Sequence, residues 1–165
     1  MAIEQAANVR SLLIPIGDKQ LLLPSAVIAE IAPYSEPEVF AEESNLLGIV
    51  EWRQQIVPVL SVKQIFQLSD AAITLRQRLV ILYGLESVSI LPFYAFVASG
   101  VPRTITATEE MLSTASNLQM TGLSCELEIK FSDDESGIAW IPDLTFLENT
   151  LRKSPQLLAK IAQTA

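Results

Sequence analysis

The sequence contains no histidine and a single cysteine, and these two shortages remove several kinds of chemistry. Without histidine there is no Ser-His-Asp triad, no histidine-ligated metal and no histidine phosphotransfer site. Cys125 alone forms neither an intramolecular disulfide nor a cysteine zinc site, and so few thiols are typical of a reducing cytosol. We therefore expect a cytoplasmic protein without a metal centre.

Motifs for nucleotide binding and catalysis are missing as well. The chain has no Gly-x-Gly-x-x-Gly fingerprint and no Walker-type Gly-Lys-Ser/Thr, so neither of these phosphate-binding loops is present. Ser124 is not in a nucleophile elbow, because no glycine stands two residues later. A turn explains Asp133 and Asp134 better than a metal or phospho-acceptor site does. The sequence predicts a protein that is not an enzyme and has no cofactor, and an enzyme with a carboxylate dyad is the least favoured alternative.

Charged residues are scarce, at 18% of the chain against about 25% in ordinary proteins. The chain is 50% hydrophobic, with a mean hydropathy of +0.35. Such a chain buries much of itself or leaves apolar surface for another protein. A net charge of -8 argues against nucleic acid, which is bound by clustered Lys and Arg. The longest uncharged run, 87–102, is shorter than the roughly 20 residues of a spanning helix, so no direct membrane insertion is expected.

The most informative stretch that is present runs from Leu46 to Phe66. Two apolar arms, 46–50 and 56–60, flank the polar Arg53-Gln54-Gln55. This pattern predicts two antiparallel strands joined by a short link. Because the arms are apolar on both faces, we expect the sheet to be covered on both sides, with an arginine at an exposed corner.

Shorter patterns predict the other elements. Residues 125–131 alternate between apolar and charged types, which indicates a strand with one buried face, followed by a turn over 133–137. Further strands are expected over 11–16, 20–23, 79–83, 88–98 and 138–141. The strand over 88–98 has Pro92 at an edge or a bulge.

The predicted helices are all short. Ser61 is expected to cap one over 61–66, Thr106 to start a capping box, and Pro142 to open a helix that Pro155 ends. An amphipathic turn or helix follows at the C-terminus, and the acidic residues within 36–44 are expected to form a solvated loop. Nine or ten short strands with short helices and no βαβ alternation predict an all-β fold of the barrel or sandwich type.

The central stretch resembles the signature of the CheW-like adaptor domain. Seven residues match that signature in register: Gly48, Arg53, Ile56, Val57, Pro58, Val59 and Phe66. The segment Ile28-Ala29-Glu30-Ile31 is similar to the family's Val-x-Glu-Ile, and 138–147 to its closing segment. Gln54, Trp52 and Ser61 replace the family's glycine, leucine and aspartate. The Glu51-Trp52-Arg53 variant and residues 96–103 look most like the ChpC type, which serves pilus-linked (twitching) chemosensory systems.

The resemblance implies a fold class of all-β with short helices, built from two packed five-stranded SH3-like β-barrel subdomains. It assigns a CheW-like domain to residues 9–153 and leaves a C-terminal tail over 154–165. The implied function is that of a non-catalytic adaptor that couples a chemoreceptor to a CheA-type histidine kinase. Its partners would be the kinase's regulatory domain and the receptor's cytoplasmic tip, so the protein would be recruited to membrane-associated receptor arrays.

The predicted partner-binding residues lie in the central hairpin and are Gly48, Ile49, Glu51, Trp52, Arg53, Val57 and Val59. Trp52 is either an aromatic anchor for the partner or a core residue. Arg53 either forms an internal ion pair that pins the corner or binds a partner's carboxylate through its planar fork. The alternative function is a β-barrel carrier of a small apolar ligand, built on residues 87–102.

Overall fold

The computed structural model of the chain describes residues 8–39, 45–69, 76–86, 88–113, 116–117, 121–132 and 135–163. Within these residues, eleven strands form two mixed sheets. The order of strands in each sheet shows how the chain divides between them.

One sheet has six strands in the order β8-β1-β2-β11-β10-β9. Its strands are β1 (Val9–Ile16), β2 (Lys19–Pro24), β8 (Arg103–Ala107), β9 (Ser116–Asn117), β10 (Leu123–Ser132) and β11 (Glu135–Pro142). Neighbours are antiparallel except β2 and β11, which pair in parallel at Leu21 and Trp140. This sheet therefore combines strands from both ends of the chain.

The other sheet has five strands in the order β3-β6-β7-β5-β4. Its strands are β3 (Ile28–Pro33), β4 (Leu46–Trp52), β5 (Gln55–Leu60), β6 (Arg78–Tyr83) and β7 (Phe93–Ala98). The central pair β5–β7 is parallel and the others are antiparallel. Strands β3 and β4 are the two edges, and Glu38, beyond the end of β3, forms an isolated bridge with Ile49.

The helices are short and capped by polar side chains. Ser61, Asp143 and Ser154 accept hydrogen bonds from backbone N–H groups in the first turns of three of them, as expected of good N-cap residues. The helices are α1 (Val62–Ile65), α2 (Glu109–Ser113), α3 (Leu144–Arg152) and α4 (Pro155–Ala162), and a 3-10 turn covers Ser25–Val27.

The described residues form three apolar clusters. The largest combines residues from both sheets with residues of α1, α3 and α4. A second covers the other face of the five-stranded sheet, around Val57 and Ile81. A third covers the other face of the six-stranded sheet, around Leu13 and Leu127. Both faces of each sheet thus carry apolar residues that pack in these clusters, which explains the apolar character of most strands.

The predicted fold class is confirmed: the chain is mostly β with short helices, and its strands fall into two packed groups. One sheet has six strands because the two-residue β9 adds to its edge. The predicted pattern over 125–131 is confirmed over 127–130, where Leu127 and Ile129 are buried while Glu128 and Lys130 are exposed; Cys125 and Glu126 are both half-buried. The boundary of the domain at residue 153 stays a prediction.

The strand predicted over 88–98 is wrong in its first half. Residues 88–90 form a turn, and β7 begins at Phe93. Gly84 N–H donates to the carbonyl of Pro92 at 2.8 Å and closes a loop there. Because β7 pairs on both sides, the missing N–H of Pro92 would have broken its ladder, and the strand starts after it.

The predicted starts of two helices are also wrong. Thr106 lies inside β8, where it pairs with Arg10 of β1. Thr108 takes its place at the start of α2, because its side chain accepts a hydrogen bond from Met111 N–H. Pro142 ends β11, and Asp143 caps α3. Side chains that accept from the backbone therefore set both starts.

Two further boundaries differ from the sequence prediction. Pro155 opens α4 instead of only ending the preceding helix. Glu135, Ser136 and Gly137, which were predicted to belong to the turn over 133–137, lie in β11 and pair with β10. Asp133 and Asp134, and with them the metal or phospho-acceptor interpretation, lie outside the described residues.

Candidate protein-interaction surface

The β4–β5 hairpin closes in a two-residue turn formed by Arg53 and Gln54. Both residues have positive φ, 48° and 63°, as in a type I′ turn, which follows the natural twist of two antiparallel strands. Residues with a Cβ are strained in this region. The turn holds Arg53 away from the sheet, and 67% of its side chain is exposed.

Glu30 of β3 binds two neighbouring residues: Trp52, which ends β4, and Arg53, which begins the turn. Its Oε2 accepts a hydrogen bond from Trp52 Nε1 at 3.1 Å and one from Arg53 Nη2 at 2.8 Å. Because β3 and β4 are the two edges of the five-stranded sheet, these bonds join the edges through side chains. The Arg53 guanidinium also lies 4.5 Å from the centre of the Trp52 ring, within the range of a cation–π contact.

The Trp52 ring is the first of three aromatic rings that lie in a row at the ends of the strands. The Trp52 and Phe93 rings meet edge to face with centroids 4.9 Å apart. Tyr83 and Phe93 are 5.7 Å apart by the same measure. Glu30, Trp52, Arg53, Tyr83 and Phe93 are called the Arg53 corner below.

Arg53 therefore forms the internal ion pair that was one of its two predicted roles. With 67% of the Arg53 side chain and 35% of that of Glu30 exposed, such a pair contributes little to stability. Its planar guanidinium has five N–H donors, more than one carboxylate oxygen can use. The partner-binding role stays a prediction that the ion pair does not exclude. Trp52 is half-buried, between the two roles predicted for it.

The seven predicted partner-binding residues divide by burial. Glu51, Trp52 and Arg53 are exposed or half-exposed at the end of β4. Ile49, Val57 and Val59 are 5%, 0% and 0% exposed and pack in the apolar clusters. Gly48 is buried at the crossing of the chain near Glu38, where a Cβ would lie 2.3 Å from the Glu38 carbonyl oxygen. These four are placed to shape the hairpin, whereas Glu51 and Arg53 are exposed and Trp52 is half-buried against the second cluster.

Sequence analysis missed a second exposed group beside the Arg53 corner. Leu85, Val88 and Ile90 are 50%, 57% and 49% exposed in the segment between β6 and β7. We call residues 84–86 and 88–92 the β6–β7 loop. The apolar stretch around Pro92 was interpreted as a strand. Gly84 and Pro92 were the residues that could have indicated a loop there.

Two small open cavities border these elements. One, of about 190 Å³, is lined by the hairpin turn, the β6–β7 loop and Ile161 of α4. The other, of about 200 Å³, is a groove between the sheets near Leu47, Val62, Leu68 and Val97. Tyr94 and Phe96 fill the core at 0% and 1% exposure. Pockets for drug-sized ligands are typically about 300–1,000 Å³, and the two cavities of about 740 and 600 Å³ that fall in this range border β10 and are not lined by residues 88–102. The ligand-carrier alternative, which was built on that stretch, gains no support from them.

Other chemistry is not assembled within the described part of the chain. No group of three or more His, Cys, Asp or Glu residues there could hold a metal ion. No helix in that part is long and apolar enough to cross a membrane. Burial raises the pKa of the Cys125 thiol, which disfavours the reactive thiolate.

Comparisons with known proteins concern the family and the fold of the chain. A family model described as CheW-like domain matches residues 10–125. The crystal structure of the scaffolding protein TtCheW from Thermoanaerobacter tengcongensis superposes with a TM-score of 0.68 at 15% identity, covering 89% of this chain and 92% of that one. At this identity the likeness concerns the fold. No curated protein sequence matches the chain.

Proposed function

Because the chain belongs to the family of CheW-like domains, we propose that it is a chemosensory adaptor that holds a CheA-type histidine kinase and a chemoreceptor together. It acts without catalysis, by binding the regulatory domain of the kinase and the cytoplasmic tip of the receptor. The observation that carries the proposal is the Arg53 corner, where an exposed guanidinium sits on an aromatic row. Arginine and aromatic side chains are the residues that most often dominate protein interfaces.

We assign the kinase to the Arg53 corner. The exposed groups there are a charged fork, the edge of a tryptophan and the ring of Tyr83, which is 44% exposed. The neighbouring apolar loop lengthens this surface. Buried aromatic anchors with a polar rim are the usual composition of a specific interface. Glu30 already orients the guanidinium. The Arg53 side chain therefore loses less conformational entropy when it binds a partner's carboxylate.

We assign the receptor to the groove between the sheets. An adaptor needs a second surface that stays open while the first is occupied. Leu47, which is 40% exposed, lines this groove at the start of β4, whereas Trp52 ends the same strand. At the rise of an extended strand the two residues are roughly 17 Å apart. The two partners therefore have separate contact points on one strand.

Reciprocal variants test the two assignments. Arg53→Ala should weaken binding of the purified kinase regulatory domain about tenfold or more, and leave binding of a receptor-tip fragment unchanged. Leu47→Asp should do the reverse, because it places a charge in the apolar groove. Alanine is chosen at Arg53 because a new carboxylate there would face Glu30.

Isothermal titration calorimetry with each partner fragment provides the measurement, and Arg10→Ala, exposed on β1 of the other sheet, is the matched control. Binding of the kinase domain that survives Arg53→Ala, or a parallel loss of both partners in either variant, contradicts the assignment. Thermal melting of each variant separates lost contacts from lost folding.

We further propose that the chemosensory system served is one that drives pilus-based twitching motility. The support is the Glu51-Trp52-Arg53 variant and the segment 96–103, which resemble the ChpC type. Deleting the gene should reduce twitching zones on agar and leave swimming unchanged. Loss of swimming alone would assign the protein to a flagellar system.

A further inference from the structure

One charged side chain in the core is unexplained by the adaptor surface itself. Glu148 of α3 is 0% exposed. Its Oε1 accepts hydrogen bonds from Leu85 N–H at 2.8 Å and Glu86 N–H at 3.3 Å. Within the described residues its Oε2 has no hydrogen-bond partner, and neither has the buried hydroxyl of Tyr94. Burying a carboxylate with one unpartnered oxygen lowers the stability of the folded state relative to an apolar side chain of similar size.

The two bonds end on the backbone of the β6–β7 loop. That loop is narrow at its base, where Gly84 N–H donates to the Pro92 carbonyl at 2.8 Å. A Cβ on Gly84 would lie 1.9 Å from the carbonyl oxygen of Leu91. Thr145 Oγ1 donates to Glu86 Oε1 at 3.0 Å and adds an exposed tie to the same helix. Helix α3 thus fixes the conformation in which the loop leaves the sheet.

The loop carries three of its apolar side chains outward, next to the Arg53 corner, while Leu91 is buried in the core. Leu85, Val88 and Ile90 are each about half exposed. Phe93, which follows the loop, contacts both Trp52 and Tyr83. Ile90 also lines the cavity of about 190 Å³ that it shares with the hairpin turn. The apolar loop and the corner therefore form one continuous surface.

We propose that Glu148 is a positioning residue that fixes the β6–β7 loop, so that Leu85, Val88 and Ile90 join the Arg53 corner in contacting an apolar face of the kinase regulatory domain. This inference rests on the proposed function and deepens it. Hydrogen bonds to a carboxylate are stronger than neutral ones, and two of them on adjacent amides leave the segment few other conformations. An apolar residue at this position would fill the space and release the loop.

The test compares Glu148→Leu with Glu148→Gln in the full chain. Leucine removes both acceptors, whereas glutamine keeps the Oε1 acceptor and restores the bonds. Hydrogen exchange at the Leu85 and Glu86 amides should rise about tenfold or more in Glu148→Leu, and stay near the wild-type rate in Glu148→Gln. Affinity for the kinase regulatory domain should fall by a similar factor in the first variant and recover in the second.

Thr145→Val covers the case in which the leucine variant does not fold. It removes only the exposed tie and should raise exchange at Glu86 without changing the melting temperature. Unchanged exchange at the two amides in Glu148→Leu, or fast exchange with unchanged kinase affinity, overturns the inference while the adaptor function stands. A wild-type protein that binds neither the kinase domain nor the receptor fragment overturns the adaptor function, and the exchange data then describe the loop alone.

Discussion

Glu30 and Trp52 lie on opposite edge strands of one sheet, and a hydrogen bond of 3.1 Å between carboxylate and indole joins them. The same carboxylate also binds Arg53. The residues that the family resemblance separates into two segments, Val-x-Glu-Ile and the arginine hairpin, are thus one structural unit. The carboxylate that holds the exposed guanidinium of Arg53 is therefore the one that joins the two edges of the sheet through Trp52.

Replacing Glu30 should therefore affect stability through Trp52 as well as Arg53. Glu30→Ala leaves the half-buried indole N–H without its acceptor, and the expected loss is about 1 kcal/mol of unfolding free energy. Urea denaturation measures it, with Glu51→Ala, exposed on β4, as the control that should change little. In the double variant with Trp52→Phe the losses should be less than additive, and full additivity would contradict a shared bond.

Gly48 should tolerate no side chain. A Cβ there would lie 2.3 Å from the Glu38 carbonyl oxygen, and its φ of 150° is unfavourable for other residues. Gly48→Ala is expected to cost about 2–3 kcal/mol of stability. At Gly100 the nearest atom would be Pro15 Cγ at an ordinary 3.5 Å, so Gly100→Ala should be neutral or slightly stabilising. Equal effects of the two substitutions on the denaturation midpoint would refute this explanation.

Gln54 occupies a turn position that suits glycine. Its φ is 63°, where a residue with a Cβ is strained, although glycine loses more entropy on folding. Gln54→Gly should raise the unfolding free energy by about 0.5–1 kcal/mol. The control Gln55→Gly lies in β5 and should lower it by a similar amount. A drop in melting temperature for Gln54→Gly would show that the Gln54 side chain makes a stabilising contact.

Leu157 should anchor the C-terminal helix to the body of the protein. It is 0% exposed and belongs to the largest apolar cluster. Leu157→Ala is expected to cost about 2–5 kcal/mol, whereas Gln156→Ala, exposed one residue earlier, should change stability by less than about 0.5 kcal/mol. Chemical denaturation followed by tryptophan fluorescence measures both. A negligible effect of Leu157→Ala would mean that α4 detaches in solution.

The elements that the sequence predicted best are those with a strong local signal. The central hairpin has two apolar arms around a polar link, and Ser61 is a good N-cap, so local chemistry alone defines both. Residues 88–92 were assigned to a strand because an uncharged apolar stretch is typical of buried strands. Residues 88–90 are instead exposed, and the loop that carries them is bonded at Leu85 and Glu86 to Glu148, which is 63 and 62 residues away in sequence. Contacts of that kind leave no local periodicity.

The candidate surface was also predictable from the sequence only where residue type and local position were sufficient. Trp52 and Arg53 stood out by residue type and position in the hairpin. Ile49, Val57 and Val59 were as apolar as interface residues would be, and only the three-dimensional packing shows that both faces of their strands are already covered. Glu30 was known from the family segment, but its role as the partner of both Trp52 and Arg53 depends on the meeting of two distant strands.

The two sheets also differ in how the chain supplies their strands. All five strands of one sheet come from the uninterrupted stretch 28–98, while the other needs β1 and β2 together with β8 to β11. On the ribosome, the first group can assemble as soon as that stretch has emerged, whereas β1 and β2 must wait until residues 103–142 have been added, which takes several seconds more at about 5–20 residues per second. The N-terminal hairpin is then the part that a nascent chain leaves uncovered longest, and the surface on which a chaperone would act.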